Sequence, residues 1–215
     1  MLFKANFYKG CFIFMLIKKI ILNKKQLEIE LSKLKGFKEG KYELEQYQTP
    51  SGLAAEILWW AYMNGDVVSK KVLDAGCGNG IFGIGANLLG AKKIYFLDKD
   101  KKMIDLVKEN FSKGEYFCCD ISDFKFNVDT VIMNPPFGIH DFGADKRFLE
   151  VVFGLSSVVY SIHYFKSKEF LEKIAFENNF NLEFKEGNFV LKRTFEFHHQ
   201  ETKVVKVLIC RFVRD

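Results

Sequence analysis

The sequence predicts an α/β domain built on a seven-stranded, mostly parallel sheet with an antiparallel C-terminal edge strand. Three observations predict it. From residue 70 onward, short apolar runs alternate with helical stretches, the rhythm of a parallel sheet covered on both faces. Four successive runs close on a polar residue: Asp74, Asp98, Asp120 and Asn134. Two longer β-like runs, Asn188–Phe197 and Lys203–Phe212, end the chain. No helical pattern separates these two, so they pair antiparallel.

The elements follow in order. Leu27, Leu31 and Leu34 recur among charged residues at helical spacing, which predicts a short amphipathic helix. Thr49 then reads as an N-cap and Pro50 as the first helical position. That helix runs through Leu53, Ala54, Ile57, Leu58 and Ala61. Strands are expected at Lys71–Asp74, Lys93–Asp98, Tyr116–Asp120, Thr130–Asn134 and Val158–Ile162. Helices are expected at Ile81–Leu89, stopped by Gly90, at Met103–Phe111 and at Lys168–Asn178.

A chain of 215 residues that is 48% hydrophobic buries one good core and not two. Residues 15–69 form its N-terminal helical part and residues 70–215 its core. Residues 1–14 are expected to precede the domain, as an extension or a mis-assigned start before Met15. The apolar run Cys11–Ile17 is far below the ~18–20 residues of a membrane span, so no membrane association is expected. The five cysteines, Cys11, Cys77, Cys118, Cys119 and Cys210, are odd in number and form no Cys-x-x-Cys. This excludes a disulfide framework, predicts no metal site and points to a reducing cytoplasm. A net charge of +5 permits contact with nucleic acid without requiring it.

Chemistry concentrates at the strand ends, where an open α/β sheet binds its ligands. After the first strand comes Asp74-Ala75-Gly76-Cys77-Gly78-Asn79-Gly80-Ile81. Its glycines allow a tight turn and close approach of backbone to ligand. The spacing Gly78-x-Gly80-x-x-Gly83, with Asp98 twenty residues after Gly78, is also that of a dinucleotide site. The loop alone therefore leaves a dehydrogenase and a methyltransferase open. Asp74 favours the second. A carboxylate there suits the cationic end of S-adenosylmethionine and repels a pyrophosphate. Asp98 would accept the ribose hydroxyls, and Asp120, with Ile121 beside it, the adenine amine.

Asn134-Pro135-Pro136-Phe137 decides between them. It holds two of the three prolines in the chain. An aromatic amine is a weak nucleophile because its lone pair is delocalised. The Asn134 side-chain oxygen and the Pro135 carbonyl can each accept one of its N–H groups, which turns the lone pair outward and stabilises the developing positive charge. The two prolines stiffen that carbonyl. Phe137 would stack on an extruded base, a contact worth ~1–3 kcal/mol. The motif points to methyl transfer onto an aromatic amine and looks like that of the class I adenine-N6 methyltransferases, which implies a Rossmann-like class I methyltransferase domain.

With these residues in view, the sequence resembles the methyltransferase-like 5 family of adenine-N6 methyltransferases that modify small-subunit ribosomal RNA. The resemblance spans about residues 15–215. It rests on Leu44-Glu45-Gln46-Tyr47 with Thr49, on Asp74-x-Gly76-Cys77-Gly78-x-Gly80, on Asp120, and on Asp129 through Gly138. It includes Val159-Tyr160-Ser161-Ile162-His163 and the stretch Lys192 to His198. It implies that Gln46 and Thr49 contact the cofactor, with Gly76, Asn79, Ile81, Asp98, Asp120 and Ile121 completing that site. It also implies a small zinc-containing activator subunit. Two basic clusters could serve RNA, one at Lys18, Lys19, Lys24 and Lys25, the other from Lys192 and Arg193 to Lys206. The competing readings are a DNA adenine or protein glutamine methyltransferase, and a non-catalytic module that binds S-adenosylmethionine or RNA.

Overall fold

A computed structural model describes residues 23–37, 47–136, 144–192 and 202–214. The chain forms helix α1 (Lys24–Ser32), helix α2 (Ser51–Met63), strand β1 (Lys71–Ala75), helix α3 (Ile81–Leu88), strand β2 (Lys93–Asp98) and helix α4 (Lys101–Asn110). Strands β3 (Glu115–Cys118) and β4 (Thr130–Met133), helix α5 (Ala144–Leu155), strand β5 (Val158–Tyr164) and helix α6 (Lys168–Glu177) follow. Strands β6 (Phe180–Lys192) and β7 (Thr202–Arg214) end it. The seven strands form one sheet in the order β3-β2-β1-β4-β5-β7-β6. The first five are parallel; β7 runs antiparallel to both β5 and β6, which makes the C-terminal edge pair antiparallel.

Two cores cover the sheet. On one face Leu27, Leu58, Ile84 and Val107 from α1 to α4 pack against Val72, Ile132 and Tyr160. On the other, Leu149 and Val152 from α5 and Leu171 and Ile174 from α6 pack against Leu73, Val131 and Val159. Helix α1 starts on a reciprocal cap, in which Asn23 accepts from the Gln26 backbone and Gln26 returns the bond. A network ties the turn after α2 to the β5-β7-β6 end of the sheet. Asp66 accepts from Tyr160 (2.7 Å) and from Arg211 Nε (3.0 Å), and Arg211 also reaches Glu183 (3.0 Å).

Several boundaries differ from expectation for identifiable reasons. Helix α2 is capped by Pro50 and begins at Ser51, and Thr49 makes no cap; its hydroxyl is engaged elsewhere, as described below. Strand β3 stops at Cys118, because Asp120 caps the short 3₁₀ turn Ile121–Asp123. Strand β4 stops at Met133, since Asn134 leads into a proline. Strand β5 continues to Tyr164, with His163 paired to Leu208 and Tyr164 to Val207. Strand β6 begins at Phe180 rather than Asn188. Its charged residues Glu183, Lys185 and Glu186 are exposed on an edge strand whose register is set by backbone pairing to β7. Helix α5 has no counterpart among the predicted elements. Residues 1–14, Lys18, Lys19 and, within the second basic cluster, Arg193, His198 and His199 lie outside the described residues.

The strand order reverses between β1 and β4. There Ala75 pairs with Met133, so the glycine loop and the Asn134 segment leave the sheet side by side.

One buried polar pair makes the fold sensitive to acid. Ser161 Oγ and His163 Nε2 lie 2.8 Å apart, and burial pushes the imidazole down to about 3. A histidine held neutral in the fold contributes stability that is complete above its ordinary pKa and is lost as pH falls below it. Unfolding free energy should therefore drop by about 1.4 kcal/mol per pH unit from about pH 6.5 towards pH 3 through this residue alone. His163→Gln should remove that component from denaturation curves recorded across this range. An unaltered slope in the variant would contradict the assignment.

Candidate active site

A cavity of about 480 Å³ opens at the carboxyl ends of β1, β2 and β4. Its size is that of a small-molecule site. The floor is the glycine loop. Gly80, in the left-handed region (φ 84°), ends the loop and caps α3; Val107 already crowds the place where a side chain would stand. At Gly83 a Cβ would overlap the Phe96 ring, so only glycine lets α3 lie this close to β2.

Thr49, Gly76, Gly78, Asn79, Ile81, Asp98, Asp120, Ile121, Asn134 and Pro136 all line this cavity. The sequence assigned each of them to one site, and the fold brings them together. Gln46 and Phe137 lie outside the described residues. Asp74, Gly80 and Pro135 do not form its wall among the described residues. Asp74 is turned beneath the glycine loop, fully buried, and accepts the Gly83 N–H at 2.7 Å. Its other oxygen has no hydrogen-bond partner. Asn79 has a second role. It lines the cavity, but its side-chain amide donates to the Lys35 carbonyl at 3.3 Å.

Asp98 and Asp120 are each held by backbone N–H groups. Asp98 accepts the Gly78 N–H at 3.1 Å on one oxygen and the Asp100 N–H at 2.9 Å on the other. A carboxylate has about four acceptor positions, so about two remain for a ligand. Burial raises the pKa of Asp98, and more strongly that of Asp74, where proximity to Asp98 adds to the effect. Asp120 behaves oppositely. Hydrogen bonds from the Ser122 backbone and hydroxyl hold it below its usual value, and it stays ionised.

Asn134 is oriented by Thr49. Its Nδ2 donates to Thr49 Oγ1 at 3.2 Å, which leaves Oδ1 buried with no hydrogen-bond partner. A buried acceptor left open costs about 1–3 kcal/mol. Asn134 lines the cavity, and Oδ1 is the acceptor it has left for an N–H from a bound molecule.

Other residues complete the wall. Phe37, Tyr47 and Gln48 come from the N-terminal part, and Arg147, Phe148 and Val151 from α5. The α5 contribution had no signal, since no helix was expected there. Tyr47 and Gln48 lie in the segment that carried the family resemblance, whereas Phe37 carried no motif.

Comparison with known proteins places these features in context. A family model for ribosomal protein L11 methyltransferase matches residues 61–130. The rRNA N(6)-adenosine-methyltransferase METTL5 of Danio rerio is 33% identical over 201 residues, covering 87% of this chain and 97% of that one. A crystal structure of an RNA methyltransferase candidate from Pyrococcus horikoshii superposes with a TM-score of 0.85 at 42% identity, covering 89% and 98% of the two chains. The magnesium protoporphyrin IX methyltransferase of Synechocystis PCC 6803, solved with bound SAM, shares the fold at a TM-score of 0.60 and 19% identity, over 75% and 78% of the chains.

The buried Asp74 carboxyl predicts a pH effect on the ligand-free protein. A carboxyl whose folded pKa is raised contributes stability that is present in acid and lost as pH rises through the folded value. Asp74→Asn keeps an acceptor for Gly83 and removes the charge. Its melting temperature should exceed that of the wild type at neutral pH, and the gain should vanish in acid. A lower melting temperature at neutral pH would contradict this reading of the site.

Proposed function

We propose, for a chain that belongs to the methyltransferase-like 5 family of rRNA N6-adenosine methyltransferases, that it methylates N6 of an adenosine in small-subunit ribosomal RNA with S-adenosylmethionine as donor. The observation that carries the reading is the open Oδ1 of Asn134, directly followed by Pro135 and Pro136. The residues present also fit the donor. Asp74 and Asp98 place carboxyl oxygens at the glycine loop, and a ligand with ammonium and sulfonium groups would favour their ionised forms. Asp98 retains acceptor capacity for two ribose hydroxyls, and ionised Asp120 can accept an adenine amine.

The donor supplies an electrophilic methyl group on sulfur. Asn134 Oδ1 and the Pro135 carbonyl take the two N–H groups of the target amine, so that its lone pair faces the cavity. As the N–C bond forms and the C–S bond breaks, these same acceptors stabilise the positive charge on nitrogen. The nitrogen then loses one proton to water. Phe137 is assigned the role of stacking on the extruded base, and Gln46, with Thr49, that of a cofactor contact. Catalysis here is positioning and electrostatics, with no requirement for a strong base.

RNA is favoured over DNA or a protein glutamine by kinship with rRNA methyltransferases over nearly the whole chain. A zinc-containing activator, which the family resemblance implies, is assigned to the edge of β3. Among the described residues that strand has a neighbour on one side only. Beside it stands an aromatic cluster of Phe117, Phe124 and Phe126, with Phe126 49% exposed. Phe126→Lys should abolish the heterodimer seen by light scattering with such a subunit, and an undiminished complex would move the interface elsewhere.

Asn134→Ala should reduce methyl transfer to rRNA by a factor of about 10²–10³, the effect of removing one preorganised polar group, with S-adenosylmethionine affinity preserved. Thr49→Val, which releases the Asn134 amide, should lower kcat, and Thr49→Ser should restore it. Loss of cofactor binding in Asn134→Ala, with transfer restored at saturating donor, would make Asn134 a cofactor ligand instead.

A further inference from the structure

We infer that Lys35–Phe37 is a strap that completes the cofactor cavity, with Phe37 as part of the cofactor's wall and Asn110 as the positioning residue that holds it there. The inference rests on the cofactor reading above and extends the site to residues that carry no motif.

Asn110 is the last residue of α4. Its side-chain amide engages the strap as a second backbone would. Oδ1 accepts the Lys35 N–H at 3.0 Å, and Nδ2 donates to the Lys35 carbonyl at 3.0 Å. The same Nδ2 donates to the Asn79 carbonyl at 3.1 Å, while the Asn79 side chain donates to the Lys35 carbonyl at 3.3 Å. One asparagine thus joins α4, the glycine loop and the strap. The Lys35–Glu109 ion pair at 3.2 Å is exposed and adds little.

The strap then passes under the Gln48 side chain, which covers Gly36 so closely that a Cβ there would overlap it. It delivers Phe37 to the mouth of the loop. The Phe37 ring lies 3.8 Å from the position a Cβ would take on Gly78, and it lines the cavity. Gly78 is the residue whose N–H holds Asp98. The phenyl group therefore stands next to the carboxylate assigned to the ribose. It is half-buried, with apolar surface facing the cavity, and a bound nucleoside would cover that surface. An aromatic wall here excludes water from the Asp98 hydrogen bonds and strengthens them.

A purely structural Phe37 would anchor α1 and affect melting alone. Titration calorimetry with S-adenosylmethionine, together with melting of the ligand-free protein, separates the two roles. Phe37→Ala should bind about tenfold more weakly, and Phe37→Tyr should restore affinity. Asn110→Ala should weaken binding similarly, and Asn110→Asp, which keeps the bond from the Lys35 N–H but sets a carboxylate oxygen against the Lys35 and Asn79 carbonyls, at least as much. The double variant should bind no more weakly than Phe37→Ala, because both changes act through one element. Wild-type affinity in Phe37→Ala, or full additivity in the double variant, would overturn the inference. If Asn110→Ala fails to fold, Phe37→Ala and Asn110→Asp still decide. Absence of binding by the wild type would remove the cofactor reading and this inference with it.

Discussion

The pairing of Ala75 with Met133 is the constraint on which the rest of the site depends. It places β1 and β4 side by side at the one point where the strand order reverses. Both strands are buried on both faces, so their register admits little slippage. Everything that leaves their carboxyl ends is positioned by that contact: the glycine loop on one side, the Asn134 segment on the other, and the crevice between. The β3–β2 half and the β5–β7–β6 half are added outward from it.

A second level of order is polar. The acceptors of the cavity are each committed on one side to the protein and open on the other. Asp98 is held by Gly78 and Asp100, Asp120 by Ser122, and Asn134 by Thr49. Thr49 comes from the stretch before α2, and Phe37 from the stretch after α1. The N-terminal part is therefore not a separate cap on the domain. Two of its short segments are layered over the glycine loop and finish the wall that the sheet begins. This arrangement couples the orientation of the amide proposed to receive the substrate to the segment that also closes the cofactor site.

The parallel core was legible because buried strands and glycine turns leave local marks. Val72, Ile94 and Val131 read as strand whatever they touch, and Gly76, Gly78 and Gly80 are imposed by backbone geometry. The polar strand ends were legible because the topology of such sheets directs ligands there. What escaped depends on contacts distant in sequence. Thr49 looked like a helix cap, since nothing nearby shows that Asn134 takes its hydroxyl. Asp74 looked like a cavity wall, although its carboxylate turns under the loop to Gly83. Asn110 looked like an ordinary helix end, and its partner Lys35 lies on the far side of α2, β1 and β2. Strand β6 was misplaced because an exposed edge strand tolerates the charges that usually mark a loop.

We propose that the amide at the end of β4 receives the exocyclic amine of an adenosine in ribosomal RNA. The direct test is to incubate the purified protein, alone and with the proposed activator subunit, with radiolabelled S-adenosylmethionine and separated ribosomal subunit RNAs. The RNA is then digested to nucleosides. Label is expected in N6-methyladenosine from the small-subunit RNA, and none with Asn134→Ala. Label confined to another nucleoside, to DNA or to protein would contradict it.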